Sequence, residues 1–83
     1  MSPPPRGIRV RLRAAWTGPS GKGLLDGDPR VRTLCKVLVA HPGVRHILPD
    51  RISFDPSVDA RLLDTVAGFL LRQHWLVDGV EVE

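Results

Sequence analysis

Trp16-Thr17-Gly18-Pro19-Ser20-Gly21-Lys22-Gly23 is the stretch of this chain that most resembles reactive machinery. A phosphate loop of the form G-x-x-x-x-G-K-[ST] wraps phosphates with glycine N–H groups, reaches terminal oxygens with Lys, and holds Mg2+ with a hydroxyl. Aligned on Gly21-Lys22, Trp16 stands where the first Gly is required and Gly23 where the hydroxyl is required. Nucleotide binding is therefore not expected, and the stretch reads as a Gly/Pro/Ser-rich loop.

His41, His46 and His74 are the only imidazoles and Cys35 the only thiol. A single cysteine excludes an intrachain disulfide and a Cys-only metal site, and a reducing cytoplasm is the simplest compartment. Zn2+ or Cu2+ would accept imidazole. No histidine pair has the i, i+4 spacing of a ready-made helical site, so the three are the candidates for a metal site that is not itself expected. A site shared across a dimer would draw on His46 or Cys35. No Ser/His/Asp or Cys/His arrangement emerges, and Asp26 with Asp28 reads as turn and cap chemistry. The expectation is a non-enzyme without a cofactor.

Charge is distributed more informatively than its total. The 83 residues carry a formal net charge of +3. Arg6, Arg9, Arg11 and Arg13 crowd one early segment, Arg30, Arg32 and Lys36 follow, and the closing "VDGVEVE" is acidic. That polarity suits an acidic surface, a nucleic acid or a second copy of the chain. No apolar run approaches the roughly 18 residues of a membrane span. "MSPPPRG" lacks the apolar stretch of a secretory signal, and residues 1–5 read as an extended Pro-rich tail.

The elements that must position these residues follow from periodicity. "GIRVRLRA" alternates Ile8, Val10 and Leu12 with Arg9, Arg11 and Arg13, the period of a half-buried strand. A long loop follows to about Gly27. Asp28-Pro29 starts a helix, since Asp caps free N–H groups and Pro loses no needed donor there. Val31, Leu34, Cys35, Leu38 and Val39 make its apolar stripe, which renders Cys35 a small hydrophobe of low reactivity. His41-Pro42-Gly43 ends the helix. "VRHIL" and "RISFD" read as strands joined at Pro49-Asp50, pairing Ile47 with Ile52 and Arg45 with Phe54 and leaving His46 and Ser53 outward. Asp55, Ser57 and Asp59 are all able to cap the second helix. Its main stripe is Leu62, Val66, Phe69 and Leu70, widened by Leu63, Ala67 and Leu71, with Gly68 explained by close packing. The last strand has Leu76, Val80 and Val82 in phase and a bulge at Gly79.

This order, β-α-β-β-α-β, predicts a single α+β, ferredoxin-like sandwich over residues 6–83, with a four-stranded antiparallel sheet and both helices on one face. Arg9, Arg11, Arg13, His46 and Ser53 are expected on the open face.

The chain also resembles the heavy-metal-associated domains, in the divergent branch without the cysteine pair. The resemblance rests on "RGIRVRLR", on "GDPRVRTLCKVLVAHPGVRHI" with its "PGV" turn, and on "ISFDPSVDARLLDTVAGFL". It implies the same ferredoxin-like fold. Metal-carrying members clamp a soft ion with C-x-x-C after the first strand. Thr17, Gly18, Ser20 and Lys22 stand there instead, so metal transfer is not implied.

The sequence thus points to a small non-catalytic interaction or accessory subunit, in a larger complex or self-associated. Trp16 is an aromatic anchor for a partner's pocket or a lid over the sheet edge, and Leu63, Ala67 and Leu71 form a second docking surface. The alternatives are a histidine-based metal carrier and a basic nucleic-acid or phosphate binder using Arg9, Arg11 and Arg13. Sheet aromatics of the RNA-recognition type are missing, because Phe54 is expected inward.

Overall fold

Alternation in the first strand divides the sheet into two unlike faces. The structure, a computed structural model, describes residues 6–17 and 22–83. The Pro-rich tail and Gly18–Gly21 lie outside the described residues. In β1 (Arg6–Leu12), Ile8 and Val10 are buried while Arg9 and Arg11 are exposed. The chain continues through α1 (Pro29–Val39), β2 (Val44–Leu48), β3 (Arg51–Phe54), α2 (Ala60–Leu71) and β4 (Val77–Val82). The strands pair antiparallel in the order β2-β3-β1-β4. This is the ferredoxin-like α+β arrangement that the element order predicts.

One core lies between sheet and helices. Ile8, Val10, Ile52 and Phe54 from the central strands meet Val31, Leu34 and Leu38 of α1 and Leu63, Val66, Ala67 and Leu70 of α2. Asp28 caps α1 by accepting from Arg30 N at 2.8 Å, with Pro29 as the first helical residue. Asp59 caps α2 in the same way through Arg61 N. Asp55 instead closes the preceding turn, accepting from both the N–H and the hydroxyl of Ser57.

Several details differ from the expected periodicity. The α2 stripe centres on Leu63, Val66, Ala67 and Leu70, whereas Leu62 and Phe69 are half-buried and Leu71 is exposed. In α1, Val39, the last residue of the helix, is 59% exposed. Gly68 faces open space, with nothing within 4 Å of where a Cβ would stand, so close packing does not account for it.

Both edge strands carry a bulge bearing a charged residue. Val44, not Arg45, pairs with Phe54, because the register shifts between Val44 and His46. An unbulged ladder would send Arg45 to the core side with Phe54; the extra residue lets Val44 turn inward and Arg45 reach Asp55 at 3.1 Å. In β4 the register shifts so that Arg11 opposes Gly79 and Leu12 opposes Val77, leaving Asp78 as the extra residue, one position before the expected one. Charged bulges of this kind blunt a sheet edge against strand addition.

The loop between β1 and α1 is pinned at its second half. Its described residues form two single 3-10 turns, Ala14–Trp16 and Gly23–Leu25. Leu24 is 1% exposed and its N–H donates to the Pro49 carbonyl at 2.9 Å. Gly23 makes that approach possible. Its φ is +55°, and a Cβ would stand 2.2 Å from Pro49 O.

Candidate functional site

The open sheet face is an alternating charge mosaic, not a basic platform. Arg9 opposes Glu81 on β4 and Arg51 on β3. Glu83 then folds over the face, with carboxylate oxygens 3.4 Å from Arg9 Nε and 2.9 Å from Arg51 Nη2. Two glycines act as troughs for arginine side chains. A Cβ on Gly7 would meet Arg51 Nε at 2.8 Å, and one on Gly79 would meet Arg11 Nη2 at 2.6 Å. Arg51 Nε is buried there without a hydrogen-bond partner among the described residues. A shallow pocket of about 220 Å3 lies between Arg9, Arg11, Asp50, Gly79 and Glu81. His46 and Ser53 pair with each other, outward as expected.

Arg13 does not join this face. It lies past the end of β1, where its N–H donates to Leu76 O and its Nε to the His74 carbonyl. The strand has ended by that residue, so the alternation that fixes Arg9 and Arg11 no longer governs it.

Trp16 is packed at the end of the sandwich. Its ring meets Trp75 edge-on, with centroids 5.7 Å apart and planes at 73°. Trp16 Nε1 donates to the Trp75 carbonyl at 3.2 Å, and Trp75 Nε1 to Gln73 Oε1 at 3.2 Å. The Arg30 guanidinium sits 4.9 Å from the Trp75 centroid and 5.6 Å from that of Trp16. Its Nη2 is 3.2 Å from Asp28 Oδ2. The hydrogen bonds from Arg30 hold the Asp28 carboxyl below its ordinary value, and the same pairing raises Arg30. Of the two expectations for Trp16, this is the folded-back one.

A third feature, which periodicity missed, is an apolar groove where α1 meets the β2 edge. Leu24, Leu25, Cys35, Val39 and Ile47 line a cavity of about 320 Å3, with Asp26, Arg32 and Lys36 at its rim. Leu25 is 52% and Val39 59% exposed. The signal was present as two apolar residues in tandem at Leu24-Leu25, one of which must turn outward. Cys35 lies in this groove half-buried, its Sγ donating to Leu24 O at 3.0 Å, and burial pushes its pKa up.

The remaining candidates do not come together. His41 follows α1, His46 is on the β2 edge and His74 lies between α2 and β4. Among the described residues no three His, Cys, Asp or Glu side chains form a group able to hold a metal. Leu63 is 3% and Ala67 7% exposed, so the docking surface expected from Leu63, Ala67 and Leu71 reduces to Leu71, 44% exposed. The reason is a rotation of the helix: its wide stripe places residues 63 and 67 at the centre and not at the margin. No helix among the described residues is long and apolar enough to cross a membrane.

Compared with known proteins, the chain matches no family model, no curated protein and no solved structure.

Proposed function

We propose that this domain is a small non-catalytic interaction or accessory subunit, docking into a larger cytoplasmic complex through the groove formed by Leu25, Val39 and Ile47. The observation that carries this reading is that Leu25 and Val39, the two most exposed of the large apolar side chains among the described residues, both line one apolar cavity. Apolar surface left open beside a polar rim is the usual composition of a protein contact. Lys36 and Arg32 at the rim favour a partner with acidic residues flanking an apolar anchor.

The heavy-metal-associated resemblance enters this proposal as ancestry of architecture. It is supported by the shared βαββαβ order, while the cysteine pair of the metal carriers is absent from the loop after β1. The phosphate-binding alternative loses support from Glu81 and Glu83, which interleave with Arg9 and Arg51.

Native mass spectrometry of the chain gently purified from its own cells tests the proposal. A co-purifying chain lost in V39E or L25E, and retained in L71E, supports the groove. Loss in L71E alone would move the contact to the end of α2. A bare monomer, or a chain carrying only a metal-sized increment, would overturn the reading.

A further inference from the structure

A cation is already seated at the end of the sandwich, in a site built from groups distant in sequence. Trp16 follows β1, Asp28 and Arg30 open α1, and Trp75 precedes β4. The two indole planes, at 73°, make two walls of a box, and the Asp28 carboxylate supplies a third. Both indole N–H groups are engaged inside the protein, Trp16 with the Trp75 carbonyl and Trp75 with Gln73. The rings are therefore fixed, with their electron-rich faces available to the cation.

Arg30 occupies this box at the protein surface. Its Nε and Nη2 grip Asp28 Oδ1 and Oδ2 at 3.2 Å each, but the side chain is 64% exposed, so water screens the pair and competes for the guanidinium. Asp28 does not depend on the guanidinium for its position. Its Oδ1 also accepts from the Arg30 backbone N–H at 2.8 Å as the helix cap, and Oδ2 would be freed if the Arg30 side chain swung out. The walls thus persist when the occupant leaves.

We propose that Trp16, Trp75 and Asp28 form a receptor for a trimethylammonium group, with Arg30 as its resident, displaceable occupant. Such a cation has no N–H donors to satisfy and loses little hydration on entering an aromatic box, which suits it better than a primary amine. Two fixed aromatic faces and one carboxylate provide both attractions it can use.

The test titrates the full chain with tetramethylammonium chloride against sodium chloride at equal ionic strength. Tryptophan fluorescence is the readout, because Trp16 and Trp75 are the only tryptophans. A saturable change in the millimolar range is expected for the wild type. R30A, which removes the competitor, should bind about threefold or more tighter, and D28N about threefold weaker while keeping the cap. W16A should abolish the response and W16F retain it; D28N keeps the test decisive if W16A fails to fold. Choline and a trimethyllysine peptide, run in parallel, distinguish a small-molecule source from a modified protein, and tighter binding of either supports the receptor. No saturable response in both wild type and R30A, or weaker binding by R30A, would overturn it.

Discussion

The Arg51 guanidinium lies across Gly7 and meets the Glu83 carboxylate at 2.9 Å, so the acidic residue that follows β4 neutralises a central-strand arginine on the open face. Because Glu83 also reaches Arg9, one carboxylate masks two cations. E83Q should raise retention on an immobilised polyanion such as heparin at low salt, and R51A should lower it again. The gain should vanish as salt screens the face. A wild type that already bound heparin as tightly as E83Q would contradict the masking.

Gly68 stands inside α2 with no neighbour near its missing Cβ. G68A should therefore stabilise the domain by about 0.5–1 kcal/mol, through helix propensity and a less flexible unfolded chain. A urea or thermal melt measures this. For a domain of this size the midpoint should rise by roughly 4–8 °C per kcal/mol.

Gly23 is the opposite case. G23A places a Cβ against Pro49 O in a left-handed conformation and should destabilise by roughly 1–3 kcal/mol. G27A, which meets nothing within 4 Å, serves as the control and should be nearly silent. Hydrogen exchange at Leu24 N–H, normally bonded to Pro49, would show whether the loop's anchor is what fails.

Cys35 should react slowly with a soluble disulfide reagent near pH 8 in the folded protein and at the normal rate after denaturation. Burial raises its pKa, keeping the thiol protonated, and Sγ is engaged with Leu24 O. The linkage has a definite sign. A folded-state pKa above the unfolded one contributes stability that is complete below the unfolded value and is lost as pH rises through the folded value. C35A should flatten that alkaline limb.

Asp28 and Asp55 act at the other end of the pH scale. Both folded pKa values are lowered, Asp28 chiefly by the hydrogen bond from Arg30 and Asp55 chiefly by that from the Ser57 hydroxyl. Their stabilisation is present above the unfolded carboxylate value, about 3.9, and lost as pH falls through the lower folded values. D28N should preserve the α1 cap yet make stability less sensitive to pH in that window, whereas D28A should lose both. Melts between pH 5 and roughly 2 distinguish the two.

Element order, the Asp28-Pro29 helix start, the Gly43 turn with its φ of +92° and the inward or outward sense of Ile8, Arg9, Val10 and Arg11 were all legible from the sequence. Each depends on local chemistry: a period, a cap or a residue able to take a left-handed φ. Three further features depended on which distant chain segment arrives opposite. Arg45 leaves the ladder because an unbulged register would bring it to the core side, and Leu63 rather than Leu62 becomes central because α2 turns Leu63, Val66, Ala67 and Leu70 onto the sheet. Trp16 becomes one wall of a cation site only because Trp75, 59 residues away, supplies the carbonyl that fixes it. Periodicity specifies which face of an element is apolar. The tertiary structure alone decides what that face meets, and here it folded Trp16 back onto Trp75, one of the two arrangements the sequence left open, and left the apolar opening beside Val39.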